Sequence, residues 1–282
     1  MGPNGAGKTT LLEAVYLAAT GRSFRAPRLE LCARNGGERF LVHAEVGAAP
    51  RRCLEHVWTR ATGSHRSLDG KSARLPEQLM ALPLLVWTRA ESELVAGPPA
   101  VRRRFFDRGL VQLRPALWSS LGRFERALAA KRALLAAGGS SGATARELAS
   151  WNELLARHGA EIAAGRAQLV AELDAHLARL RATSFDDLPE LALRYRPSPP
   201  AAAAGEAALR EALAALAPEE RRRRQPLSGA QRDEIEILWA GGEARRIASA
   251  EAFWPIWGKW MPSRITSNPP LLTPACRPVH RI

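Results

Sequence analysis

Eight residues near the start of the chain, Gly2-Pro3-Asn4-Gly5-Ala6-Gly7-Lys8-Thr9, fit the spacing GxxxxGK[ST]. Each residue type has a task in holding a phosphate chain. Glycines let the loop turn consecutive backbone N–H groups onto phosphate oxygens, and a helix beginning at Lys8 adds the positive end of its dipole. Lys8 would reach the β- and γ-phosphates, and the Thr9 hydroxyl would sit on a magnesium ion. With Thr10 included, the nucleotide site read from the sequence is Gly2, Pro3, Asn4, Gly5, Ala6, Gly7, Lys8, Thr9 and Thr10, and its occupants are ATP and Mg2+. A buried strand ordinarily delivers the chain to such a loop, whereas this chain begins at Met1, one residue ahead of it. The expectation is a misassigned start or a loop without its anchor. An unanchored loop would lose about 1 to 2 kcal/mol of conformational entropy for each residue fixed on binding.

The other chemistry on offer is cationic. Lys plus Arg outnumber Asp plus Glu by 41 to 28, a formal charge of +13. Such an excess favours polyanionic partners, although an Arg-rich and Ala-rich composition also follows from a GC-rich genome. Arg102-Arg103-Arg104 and Arg221-Arg222-Arg223-Arg224 are the densest basic runs. The second follows Glu219 and Glu220 at a helix end, where cations are favoured by the dipole alone. Arg102, Arg103, Arg104, Arg22 and Arg25 are therefore the candidate DNA contacts. Replacing the first three together is expected to lower the salt slope of DNA binding by up to about three units. Cys32, Cys53 and Cys276 have no CxxC spacing, and the six histidines show no ligand spacing, so neither a disulfide framework nor a zinc site is expected. No apolar run approaches the roughly 20 residues that span a bilayer, and a cytoplasmic protein without membrane contact is expected.

These residues need elements to hold them. A helix is predicted from Lys8 to about Ala19, apolar at Leu11, Leu12, Val15, Tyr16 and Ala19. Between Arg39 and Arg74 short alternating runs, with an Asp69-Gly70 turn, predict antiparallel strands. Leu82-Pro83-Leu84-Leu85-Val86-Trp87 reads as a buried strand. From about Pro115 to Ala182 the period is helical, and Leu148, Trp151, Leu154, Leu155, Ile162, Leu169, Leu173, Leu177 and Leu180 form one stripe. The Gly/Ser link at residues 138–142 splits this region into an antiparallel helical arm. Strands return at Leu191 to Tyr195 and Glu234 to Trp239, around an Ala-rich helix from roughly Gly205 to Arg224. Residues 251–282 hold six prolines and three tryptophans and keep neither period.

Three blocks, taken in order, resemble the RecF family of bacterial recombination-mediator ATPases, which are built on an ABC-type head. The first is the phosphate loop running through Thr10-Leu11-Leu12-Glu13-Ala14-Val15-Tyr16 into Gly21-Arg22-Ser23-Phe24-Arg25. The second is residues 86–99 followed by Arg102-Arg103-Arg104-Phe105-Phe106-Asp107, similar to the family's G-x-P-x-x-R-R-x-F-L-D. The third is Gly229-Ala230-Gln231-Arg232-Asp233-Glu234-Ile235, similar to G-P-H-R-D-D-L. The likeness covers about residues 1–249, and beyond it the family's ABC signature and Walker B aspartate find no counterpart.

The resemblance implies an α/β fold, an incomplete ABC-type P-loop ATPase head with antiparallel strands plus an inserted helical arm. It divides the chain into the N-terminal part of the head (1–110), the arm (111–184), a return to the head (185–249) and an off-family tail (250–282) from a shifted frame or a fused end. It implies ATP binding at a homodimer interface, recognition of gaps between single-stranded and double-stranded DNA, RecO and RecR as partners, and a role in recombinational repair and the SOS response. No catalytic residue is expected, and hydrolysis is expected to fail for want of a Walker B carboxylate. The alternatives are a non-catalytic DNA-binding remnant of a disrupted gene, or a fragment of another ABC- or SMC-type ATPase. A P-loop kinase fits less well, because antiparallel strands directly after the first helix argue against a parallel sheet.

Overall fold

The computed structural model describes residues 3, 6–47, 50–84, 86, 93–138, 142–184 and 189–247, which form two compact units divided between Arg89 and Ala90. In the first, helix α1 (Lys8–Thr20) is followed by strands β1 (Arg39–Val46), β2 (Arg52–Thr59), β3 (Gly63–Leu68) and β4 (Lys71–Ser72) and helix α2 (Leu75–Ala81). The strands pair antiparallel in chain order. Asp69 and Gly70 both adopt positive φ, 52° and 75°, the backbone that matches a tight hairpin to the strands' right-handed twist.

Alternation decides which sheet face meets α1. Phe40, Val42, Leu54 and His56 point inward, where Phe40 stacks on Trp58 at 5.8 Å and meets His56 edge-on at 5.6 Å. Tyr16, Leu17, Ala18 and Ala19 supply the buried part of α1, which contacts β1, β2 and α2. Leu11 and Leu12 differ from the predicted stripe, being 47% and 64% exposed. Only the C-terminal half of the helix lies against this sheet. Gly21 ends α1 in the left-handed region (φ 65°), donating to the Leu17 carbonyl at 2.8 Å. A Cβ there would also come within 3.0 Å of the Arg66 guanidinium.

The second unit holds α3 (Glu93–Ala96), α4 (Pro99–Leu113), α5 (Leu117–Ala137), α6 (Gly142–Ser184), β5 (Leu191–Arg196), α7 (Glu206–Arg223), β6 (Glu234–Trp239), β7 (Gly242–Glu243) and α8 (Ala244–Ile247). Pro99 opens α4, a first-turn position where its fixed φ and missing N–H cost nothing. Helices α5 and α6 run antiparallel: Leu117 faces Gly165, Ser120 bonds Glu161, and Phe124 lies against Gly159. Leu148, Leu155, Ile162 and Leu169 of α6 are buried at seven-residue intervals, each worth about 1.5 to 3 kcal/mol. Leu154 and Leu180 fall off the stripe and are 41% and 45% exposed. Small residues Ala156, Ala160 and Ala163 complete a core with Phe124, Leu128, Leu209 and Leu213, while Phe106, Leu110, Leu169, Val170 and Ile235 form a second core.

Strands β5, β6 and β7 pair antiparallel. After β7 the chain enters α8. The strand expected at residues 82–87 is absent from its described part, since Leu82, Pro83, Leu84 and Val86 are irregular; Leu85 and Trp87 lie outside the described residues. The boundary expected at 110/111 falls inside α4, and the expected tail (250–282) lies outside the described residues.

Candidate functional site

The phosphate loop meets α1 at Gly7, which takes a left-handed backbone (φ 75°) with open space where a Cβ would lie. The Leu11 N–H donates to the Gly7 carbonyl at 2.9 Å, starting the helix, and Ala6 N–H reaches the Pro3 carbonyl at 3.3 Å. The Lys8 ammonium folds back over the loop and donates to the Pro3 carbonyl at 2.7 Å. No side chain caps α1, and its first turn carries no acidic residue. The positive end of a 13-residue helix is therefore uncompensated from within. Lys8, Thr9 and Thr10 are all exposed there, and Thr9 offers its hydroxyl in the first turn. Gly2, Asn4 and Gly5 lie outside the described residues. The described part fits a phosphate chain, because a cationic side chain and an uncapped helix start with no acidic residue in its first turn adjoin the turn of the loop.

The segment after α1 returns along that helix. Ser23 donates to the Glu13 carboxylate, and its hydroxyl accepts the Arg25 and Ala26 N–H groups at 2.9 and 2.7 Å. Phe24 packs edge-on against Tyr16 at 5.6 Å. Arg25 lies 3.5 Å from Glu13, one helical turn beyond Thr9 on the same side of α1. Arg22 is exposed. Thus both candidate contacts are accessible, with the charge of Arg25 already shared.

The second and third blocks meet in the second unit, and there the expectation for the three arginines needs correction. Arg102 is only 3% exposed. Its guanidinium donates to Glu234 at 2.8 and 3.0 Å and to the Leu94 and Gly97 carbonyls at 3.2 and 2.9 Å. Arg103 is half-buried and donates to the Asp233 carbonyl at 2.7 Å. Burial, reinforced by the like charge of Arg166, lowers its pKa from the usual arginine value. Arg104 alone of the three is exposed. The helical period of α4 is the reason: consecutive residues lie about 100° apart, so three arginines in a row cannot share one surface.

Sequence reasoning missed the residue that joins the blocks. Arg166 of α6 is buried, forks onto both Asp107 oxygens at 2.8 Å, and donates to Asp233 at 2.6 Å and to the Ala230 carbonyl at 2.7 Å. Burial opposes its charge, but the hydrogen bonds and charge of Asp107, with Asp233, hold its pKa above the usual arginine value. Asp233 also accepts from the Tyr195 hydroxyl at 2.5 Å and the Ser198 N–H at 2.8 Å. Burial and then the Asp233 charge push the Tyr195 phenol well up, so it remains a donor. The signal was present: Arg166 stands four residues after Ile162 and three before Leu169, on the apolar stripe. Arg222 and Arg223 pair with Glu219 at the end of α7.

One histidine has neighbours that its position in the chain does not indicate. His43 lies with Cys53 and Glu55 on the outer face of the first sheet, their ligand atoms within 4.8 Å of one another. Chain spacing hid this cluster, which strand register creates. Among the described residues no helix is long and apolar enough to cross a membrane.

No family model matches the chain. It is 32% identical over 278 residues to the DNA replication and repair protein RecF of Thermomicrobium roseum, covering 84% of this chain and 68% of that protein. It is 34% identical over 263 residues to the protein of the same name from Anaeromyxobacter dehalogenans, covering 89% and 68%. Its fold is similar to two solved structures of the recombination mediator protein RecF in the RecFOR pathway. The RecF-ATP structure aligns with TM-score 0.75 and the RecF-ATPrS structure with 0.78, at 22% identity, each over more than two thirds of its length.

Proposed function

The chain belongs to the RecF family of DNA replication and repair proteins, with the fold of its ABC-type ATPase structures, and from that premise we propose that it binds ATP through residues 2–10 and DNA through exposed arginines. The observation that carries the nucleotide reading is the Lys8 ammonium folded onto the Pro3 carbonyl at 2.7 Å, at the uncapped start of α1. Gly2, Pro3, Asn4, Gly5, Ala6 and Gly7 would turn their backbone toward the phosphates. Lys8 would exchange its carbonyl for phosphate oxygens, Thr9 would hold Mg2+, and Thr10 would complete the helix's first turn. Bound Mg2+ would supply charge neutralisation at the phosphates.

Arg104, Arg22 and Arg25 are the DNA contacts carried forward, whereas Arg102 and Arg103 support the fold. The remaining family-derived readings belong to the same proposal: gapped DNA as substrate, RecO and RecR as partners, an ATP-dependent homodimer, a role in recombinational repair and the SOS response, and a cytoplasmic location. The 282-residue polypeptide binds nucleotide without turning it over, because no apolar run ending in paired acidic residues follows the third block.

Equilibrium binding of ATP with Mg2+, measured beside phosphate release, tests both parts. Lys8→Ala should weaken binding at least tenfold, and neither protein should release phosphate above background. Equal binding by Lys8→Ala would overturn the loop assignment. Turnover by the parent that Lys8→Ala abolishes would overturn the claim of no hydrolysis.

A further inference from the structure

The outer face of the β1–β2 hairpin carries a set of donors for which the nucleotide and DNA readings have no use. Antiparallel register places His43 directly opposite Glu55 and Glu45 opposite Cys53, so all four side chains leave the same side of the sheet as adjacent cross-strand pairs. The His43 Nδ1 atom lies 3.2 Å from Glu55 Oε1 and 3.6 Å from Cys53 Sγ. Zinc bond lengths to nitrogen, oxygen and sulfur, combined at a tetrahedral angle, require about 3.4 Å between nitrogen and oxygen and about 3.6 Å between nitrogen and sulfur. Both separations stand within a few tenths of an ångström of a zinc coordination sphere, and all the ligand atoms lie within 4.8 Å of one another. Sγ also lies 3.8 Å from His43 Nε2, so the ring must turn for Nδ1 to face a shared ion.

From this geometry we propose that His43 Nδ1, Cys53 Sγ and Glu55 Oε1 form a Zn2+ site on the outer face of the hairpin. Thiolate and imidazole donors select a borderline-soft ion over Mg2+ or Ca2+. Supporting contacts already orient the set. Ser67 donates to Glu55 Oε2 at 3.1 Å, leaving Oε1 turned toward His43, and Asp69 accepts the Cys53 N–H at 2.8 Å. The second ring nitrogen, Nε2, lies 4.0 Å from Glu45, beyond hydrogen-bond distance but near enough for that carboxylate to approach and support a metal-bound histidine. Arg51 holds Glu45 at 3.0 Å, which keeps it outside the inner sphere and gives the fourth position to water. The carboxylates of Glu55, Glu45 and Asp69 gather around His43 and Cys53 and set a negative field that attracts a cation. Because the ligands come from both strands, the ion would fasten the hairpin that covers α1.

Co2+ titration followed by absorption, with ZnCl2 competition, tests the site. The full chain should take up one Co2+ with a thiolate-to-metal charge-transfer band, which one equivalent of Zn2+ removes. Cys53→Ser should lose the band while Cys32→Ser keeps it, and His43→Gln should weaken binding at least tenfold. Ser67→Ala, which spares every ligand, should weaken Zn2+ binding about tenfold. Circular dichroism of each variant checks that the sheet remains folded. No charge-transfer band in the folded parent, or one that survives in folded Cys53→Ser or is unaffected by His43→Gln, would overturn the site.

Discussion

Truncating Arg166 would strand two carboxylates, Asp107 and Asp233, the second fully buried. Removing one partner of such a network costs about 3 to 5 kcal/mol, because the charges left behind keep their desolvation cost without compensation. Arg166→Ala is therefore expected to lower the unfolding free energy by that amount, read from the urea midpoint at unchanged slope. Lysine cannot make the two-pronged contact with Asp107, so Arg166→Lys should recover only a minor part. A loss below 1 kcal/mol in the alanine variant would mean that the network does not hold the second and third sequence blocks together. Arg102 behaves similarly toward Glu234. Arg104, two positions away on the same helix, is solvent-exposed, and its replacement by alanine should change stability by no more than about 0.5 kcal/mol.

Among the elements, the packing of α6 against α5 and α4 limits side-chain size at Gly165. A Cβ on Gly165 would lie 2.7 Å from Leu117 Cδ1 and 3.2 Å from Leu110 Cδ2. Gly165→Val should destabilise by about 1 to 3 kcal/mol through overpacking, which outweighs the few tenths gained in helix propensity. Gly122 on α5 meets nothing nearer than the Arg126 guanidinium at 3.6 Å, so Gly122→Ala should stabilise by about 0.5 to 1 kcal/mol. Paired denaturation curves check both, and equal effects would refute this packing. Helices α5 and α6 were legible in the sequence through the Leu148–Leu155–Ile162–Leu169 repeat and the glycine-serine link. Their close approach at Gly159 and Gly165 was not, since a glycine in a helix carries no sign of what faces it. The same limit explains the rest: the phosphate loop is local and could be read directly, whereas the Arg166 network joins residues 59 to 67 positions apart. The His43 cluster depended on knowing which residue of β2 stands opposite which residue of β1.

For the whole molecule the open quantity is how much of a +13 charge meets DNA. Many cations are already committed within the fold: Arg102 to Glu234, Arg166 to Asp107 and Asp233, Lys131 to Glu220 at 2.6 Å, and Arg222 and Arg223 to Glu219. Those five cations face five carboxylates, so their pairing leaves the net charge unchanged; the total of 41 Lys and Arg is what overstates the cations available for phosphates. Binding to duplex DNA should still be insensitive to sequence and should weaken with salt, log K falling by about 0.9 per phosphate neutralised. Arg104→Ala should reduce that slope by about one unit with folding intact, in place of the three units expected when all three arginines were counted. Arg102→Ala and Arg103→Ala should weaken binding only so far as they unfold the chain, which circular dichroism at the same salt concentrations detects. If the excess arginine only reflects a GC-rich composition, Arg104→Ala leaves the slope unchanged. A folded Arg104→Ala protein with the parent's slope would therefore remove Arg104 from the DNA surface and leave Arg22 and Arg25 as the contacts to test.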